Sequence, residues 1–179
     1  DANQKGYVTY CESHDEERNF YKVKTYGNGS AKTYYTSEGL SRIPITRAFN
    51  LLLQGPKMMY QYEELGYDYS INSTMGSTKI DESNRTSKKE QPITLGWLED
   101  HTRMHAYNKV AQVIHLRTRV RPDIFEKGTI GNLKLSSGAV KYFTWTLDND
   151  KITVIGNFYV KEPSNAASTF SPVQTVKPF

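Results

Sequence analysis

YVTYCESHDEER, residues 7–18, is the stretch on which the reading of this chain turns. Its first half, residues 7–12, is short, aromatic and β-branched, the composition of a buried strand. Its second half is a run of polar side chains: Ser13, His14, Asp15, Glu16, Glu17 and Arg18. A strand ending in such a cluster delivers functional groups to the C-terminal edge of a sheet, where α/β proteins gather them. An imidazole there can donate to a hydroxyl. A carboxylate beside it can bridge two hydroxyls or face a developing cation. A His-Asp pair on its own is as well explained as a surface capping pair, so the surrounding pattern has to decide.

Working outward, a Gly-, Ser- and Tyr-rich loop covers residues 26–39, and the pattern then predicts a helix over 41–54. Ser41 reads as its N-cap and Pro44 sits in the first turn, where proline is tolerated. Ile45, Ala48, Phe49 and Leu52 make one apolar face, and Gly55-Pro56 stops the helix. KMMYQ, residues 57–61, reads as a second buried strand, and it too ends in a charged cluster, Tyr62-Glu63-Glu64-Leu65-Gly66. A long polar segment, 67–96, leads to a second helix over 99–119 with Met104, Tyr107, Ala111 and Ile114 as its stripe. Arg117, Arg119 and Arg121 gather at its C-terminal end, where the macrodipole favours cations, and Pro122 ends it. Beyond a boundary at 122–128 the pattern becomes alternating and β-rich, at 139–147 and 151–160. Asp148-Asn149-Asp150 between those runs is turn chemistry, so a hairpin is expected. The stretch 163–179 is Ser-, Pro- and Val-rich and reads as a strand or a loose tail.

Strand, helix, strand, helix, then strands only: this order predicts parallel βα units followed by an antiparallel unit. Two βα units cannot close a barrel, so the expectation is that this chain is a piece whose remaining units lie upstream.

The two motifs carry a resemblance. YVTYCESHDEER is similar to the region around the third catalytic carboxylate of glycoside hydrolase family 13, the alpha-amylase family, in which a buried strand closes on His-Asp. GPKMMYQYEELGYD, residues 55–68, resembles that family's eighth barrel strand, with Glu64 and Gly66 matching its acid–Glu–hydrophobe–Gly ending and Tyr62 standing where glycine is usual. The resemblance implies α/β plus β architecture. A partial TIM (β/α)8 barrel, its last two βα units, would occupy residues 1–124, and a C-terminal antiparallel β domain, truncated, residues 125–179. It implies a retaining alpha-glucan (starch) hydrolase acting on alpha-1,4-glucans, in an extracellular or periplasmic setting. Asp15 would be the catalytic carboxylate that stabilises the transition state, His14 a sugar contact, and Glu64 and Arg18 supporting groups. The nucleophile and the acid/base of retaining hydrolysis, roughly 5–5.5 Å apart, would sit on earlier strands, so the chain by itself is expected to be inactive. The Ser13-His14-Asp15-Glu16 form also resembles branching enzymes, which makes a branching enzyme or other alpha-glucanotransferase the alternative. A third reading, of another class, is a non-catalytic carbohydrate-binding protein using Tyr-rich loops at 21–35 and 60–69. The βα order speaks against it, because binding modules are usually pure β sandwiches.

Composition narrows the partners. A net charge of +4, spread without a basic run, gives no nucleic-acid signature. No stretch approaches the ~18 apolar residues of a membrane span. Cys11 is the only cysteine, so no internal disulfide forms, and its place in an apolar run reads as packing. The 13 tyrosines suit an alpha-glucan partner, whose C–H faces lie on rings, as well as they suit a core margin. His101 and His105 are four apart, but Thr102 stands where the HExxH motif needs Glu, which removes a metalloprotease reading. No metal site and no cofactor is assigned; family members often bind calcium, yet no acidic cluster here suits it. Asn28-Gly29-Ser30, Asn72-Ser73-Thr74 and Asn84-Arg85-Thr86 are formal glycosylation sequons. A barrel strand is covered on both sides, so self-association through exposed barrel edges is expected of such a piece.

Overall fold

The computed structural model describes residues 6–27 and 37–159. The Asn28 sequon, most of the loop at 26–39, the last residue of the 151–160 run and all of 163–179 lie outside the described residues. Helix α1 (Asn19–Tyr26) follows the first motif. Helices α2 (Ser37–Ser41) and α3 (Ile43–Leu51) precede the second. Helix α4 (His101–His115) runs into a π-helical turn at Leu116–Val120, and α5 (Pro122–Lys127) leads into an antiparallel sheet. That sheet is β1 (Thr129–Lys134), β2 (Val140–Leu147) and β3 (Asp150–Asn157), in the order β1-β2-β3. Among the described residues no helix is long and apolar enough to cross a membrane.

The two segments expected as buried strands lie side by side and run parallel, but they meet in a single bridge, Thr9 to Lys57. Thr9 N donates to the Pro56 carbonyl at 3.1 Å, and Met58 N to the Thr9 carbonyl at 3.0 Å. Neither is a regular strand, and Tyr7, Val8 and Tyr10 are 68%, 54% and 45% exposed, which corrects the expectation of burial. The physical reason is that a parallel strand depends on hydrogen bonds along both edges and cover on both faces. Here each segment has one short contact with the other.

The helix expected over 41–54 is shorter, Ile43–Leu51, with Leu52 as its C-cap, and a separate short helix ends at the first residue of the expected span. Ser41 closes α2, and Arg42 precedes α3 without a side-chain cap; Pro44 starts the new helix at a position where its missing N–H costs nothing. Helix α3 serves two cores. Ile43 and Leu51 pack with Phe20, Leu40, Ala106 and Val110. Ala48, Phe49 and Leu52 pack against Ile124, Phe125, Phe143, Trp145 and Val154. Strand β3 approaches so closely that a Cβ at Gly156 would lie 2.6 Å from Ile45 and 2.8 Å from Phe49. Trp145 Nε1 donates to the Leu52 carbonyl at 2.6 Å, and Arg117 holds the carbonyls of Leu51, Leu53 and Gly55. Together these two residues satisfy groups that the end of α3 leaves without helical partners. Helix α5 straddles the boundary read at 122–128, and its Ile124 and Phe125 join the sheet core.

Asp100 caps α4, accepting from Thr102 N at 2.8 Å and Arg103 N at 3.1 Å. The buried face of α4 is Arg103, Ala106 and Val110, beside the expected stripe, of which Met104 and Ile114 are partly buried against the cores while Tyr107 and Ala111 are exposed. The hairpin forms as expected. Leu147 faces Asp150, and Asp148 takes φ 54°, a left-handed conformation that Asp tolerates better than most residues. The third strand, β1, pairs with β2 through a bulge between Gly131 and Lys134.

Candidate functional site

Ser13 is buried, and its Oγ accepts from Asp15 N at 3.1 Å, a local turn of the kind short hydroxyl side chains make. The turn carries His14 and Asp15 outward, with side chains 75% and 66% exposed. His14 Nε2 lies 3.3 Å from Asp15 Oδ2. The other oxygen, Oδ1, accepts from Arg85 Nη2 at 2.8 Å, and the same Nη2 donates to the Asp15 carbonyl at 2.9 Å. The structure thus brings the two sequence-predicted residues together and adds a third, Arg85, from 70 positions away.

Arg18 takes a different place from the one expected. It is buried and does not orient Asp15. Its Nε donates to Glu12 and its Nη2 to the Gln61 carbonyl at 2.5 Å. Its guanidinium lies 4.8 Å from the Tyr60 ring centre and 4.6 Å from that of Tyr67, the stacked arrangement a guanidinium favours. Glu12 also accepts from Arg47 Nη2 at 2.6 Å, and Arg47 Nε stands 3.4 Å from Glu63 Oε1. Glu12, Arg18, Arg47 and Glu63 therefore form a buried cluster that ties the end of the first motif to α3 and to the second motif. Burial pushes the Glu63 carboxyl up to about 7 against the opposing pull of Arg47, with Glu12 adding to the rise. Neither Glu63 oxygen has a hydrogen-bond partner among the described residues, which fits a group held near neutrality. Glu17 accepts from Ser70 Oγ at 2.5 Å and from Ile71 N at 2.9 Å.

The second motif turns sharply. Tyr62 takes φ 65° and ψ 9°, and Gly66 φ 66° and ψ 58°, both left-handed. Tyrosine pays for that conformation in strain, offset by its hydroxyl bond to Gln91 Oε1 at 2.9 Å and by stacking on Tyr67. Gly66 is required twice over: a Cβ there would also lie 2.6 Å from both Ile43 and Leu40. Glu64, with its carboxyl raised by burial, lines an open groove of about 330 Å³ beside Met59, Tyr60, Tyr107, Val110 and Ile114. The exposed half of the α4 stripe faces this groove.

Among the described residues no group of three or more His, Cys, Asp or Glu side chains is placed to hold a metal ion. His101 and His105 are both exposed on α4. Cys11 is half-buried, and burial raises its thiol. Three residues of the site escaped the sequence reading. Arg47 had a signal, because it shares the i, i+4 stripe of Ile43 and Leu51 and so interrupts an apolar face. Glu12 and Arg85 had none, since their partners come from other segments. No protein-family model matches the chain, and no curated protein matches it.

Proposed function

We propose that this chain is the C-terminal part of a retaining alpha-glucan hydrolase of the alpha-amylase family, carrying the last two βα units of a (β/α)8 barrel and a following antiparallel β domain. One observation carries the reading: two segments that meet in a parallel bridge each end in a motif resembling that family, and their polar ends are tied together through Glu12, Arg47 and Glu63. The left-handed backbone at Tyr62, where the family usually has glycine, supports it. In this reading Asp15 stabilises the oxocarbenium-like transition state and His14 donates to a sugar hydroxyl. Glu64 supports the loop at the groove, and Arg18 acts only through Glu12 and the backbone of the second motif. The nucleophile and acid/base come from earlier strands, so the chain alone does not hydrolyse. The exposed Tyr7, Val8 and Tyr10 and the uncovered apolar face of α4 are then the surfaces that earlier strands would cover, and through which the isolated chain self-associates.

The test is reducing-sugar release from soluble starch by this chain and by a longer polypeptide that supplies the earlier units. The chain should be silent and the longer form active, and Asp15→Asn in the longer form should lose on the order of 10²–10³ in kcat. Starch cleavage by the chain itself would overturn the assignment, because two local acids would then be doing the work.

A further inference from the structure

The segment after the second motif folds back over the first and leaves Arg85 on Asp15. Its path is well held. Asp81 N donates to the Asn72 carbonyl at 3.0 Å. Asp81 Oδ1 accepts from Ser83 N at 3.0 Å and from Ser83 Oγ at 2.7 Å, capping the turn Glu82–Asn84. Lys89 Nζ ties the same turn through the Asn84 carbonyl at 2.6 Å. The guanidinium is thus presented from an anchored backbone. At the other end Ser13 Oγ fixes the backbone of Asp15. The two side chains are 44% and 66% exposed, where an ion pair alone is weakly held; here each partner's backbone is fixed by its own turn, and one Nη2 spans the carbonyl and the carboxylate of the same residue.

We infer that Arg85 is the positioning residue of Asp15. The inference rests on the reading of Asp15 as a sugar-contacting carboxylate. With Arg85 on Oδ1 and His14 beside Oδ2, the carboxylate plane is set before a ligand arrives, while each oxygen keeps lone-pair capacity for a hydroxyl. Preorganisation of this kind shows as affinity without a matching gain in fold stability.

The experiment uses this chain with Arg85→Ala, Arg85→Lys and Asp15→Asn, and maltoheptaose as the probe. Amide hydrogen exchange should speed up at residues 13–16 and 81–85 in Arg85→Ala, with the thermal midpoint unmoved. Maltoheptaose affinity, read from NMR shift titration, should fall about tenfold in Arg85→Ala, recover in part in Arg85→Lys, and be lost in Asp15→Asn. Unchanged exchange and unchanged affinity in Arg85→Ala, with binding still lost in Asp15→Asn, overturns the inference and leaves the reading of Asp15 standing. Exchange that responds in a chain that binds no maltoheptaose, or binding indifferent to Asp15→Asn, overturns the reading of Asp15, and the sugar-site role of Arg85 with it.

Discussion

The sheet half and the motif half of this molecule finish their structure to different degrees. In the sheet half, Ile124, Phe143 and Trp145 are sealed. In the motif half Tyr7, Val8 and Tyr10 stand in solvent, and the Met59–Tyr107 groove is open. The difference is one of topology. Antiparallel strands joined by a two-residue turn find their partners next to them in sequence, and one face can be closed by α3 and α5. Parallel segments need neighbours that come from elsewhere in a chain, so the pair at Thr9 and Lys57 stops at one bridge. The motif half is held by its own apolar core of Phe20, Leu40, Ile43, Leu51, Ala106 and Val110 and by the aromatic group of Tyr62, Tyr67, Tyr69 and Trp97, and to these it adds buried polar ties: the Glu12, Arg18, Arg47 and Glu63 cluster and the Arg103 bonds to the Leu65 and Gly66 carbonyls.

That contrast can be attacked from both sides. The largest effect should come from Trp145→Ala, which empties the shared core and removes the bond to the Leu52 carbonyl; a loss of about 3–5 kcal/mol is expected by denaturant titration. A loss under about 1 kcal/mol would mean that the sheet does not lean on α3. The middle effect is a pH slope. Because the Glu63 carboxyl stands near 7 in the fold against an ordinary 4.5, the folded chain keeps a proton that the unfolded chain releases. Stability is therefore full below about 4.5 and falls as pH rises towards about 7. Glu63→Gln should flatten that part of a melting-temperature profile; the opposite slope would mean that Arg47 keeps the pair ionised. The smallest effect on stability belongs to the Tyr7→Ser, Tyr10→Ser double variant, within about 0.5 kcal/mol. The same variant should shift the proposed self-associated form towards monomer in sedimentation velocity. Unchanged association would move the contact away from this edge.

Much of the local order was legible in the sequence. The proline in the first turn of α3, the helix over most of 99–119 and the hairpin at Asp148 rest on prolines and on helical and period-2 patterns, which act over a few residues, whereas α3 ends at Leu51, short of the expected stop at Gly55-Pro56. The stripe of α4 is covered only in part, at Met104 and Ile114; periodicity finds an apolar arc without saying which part of it a neighbour covers. Tyr107 and Ala111 belong to that arc and line an open groove. At the site, His14 and Asp15 were legible as adjacent polar groups after an apolar run, and the structure places them side by side. Arg18, expected only as a supporting group, is buried between Tyr60 and Tyr67 and bonds to Glu12 and the Gln61 carbonyl, contacts that no local pattern indicates.

By itself the sequence determined the hairpin at Asp148, the neighbourhood of the two main helices and where polar clusters follow apolar runs, because those are short-range consequences of backbone sterics and side-chain type. Only the tertiary structure decided that Arg85 rather than Arg18 holds Asp15, that Arg47 links Glu12 to Glu63, and that α3 divides two cores. Those pairings join residues far apart along the chain, and their energies depend on burial and on distances of a few ångströms, which no local pattern of residues encodes.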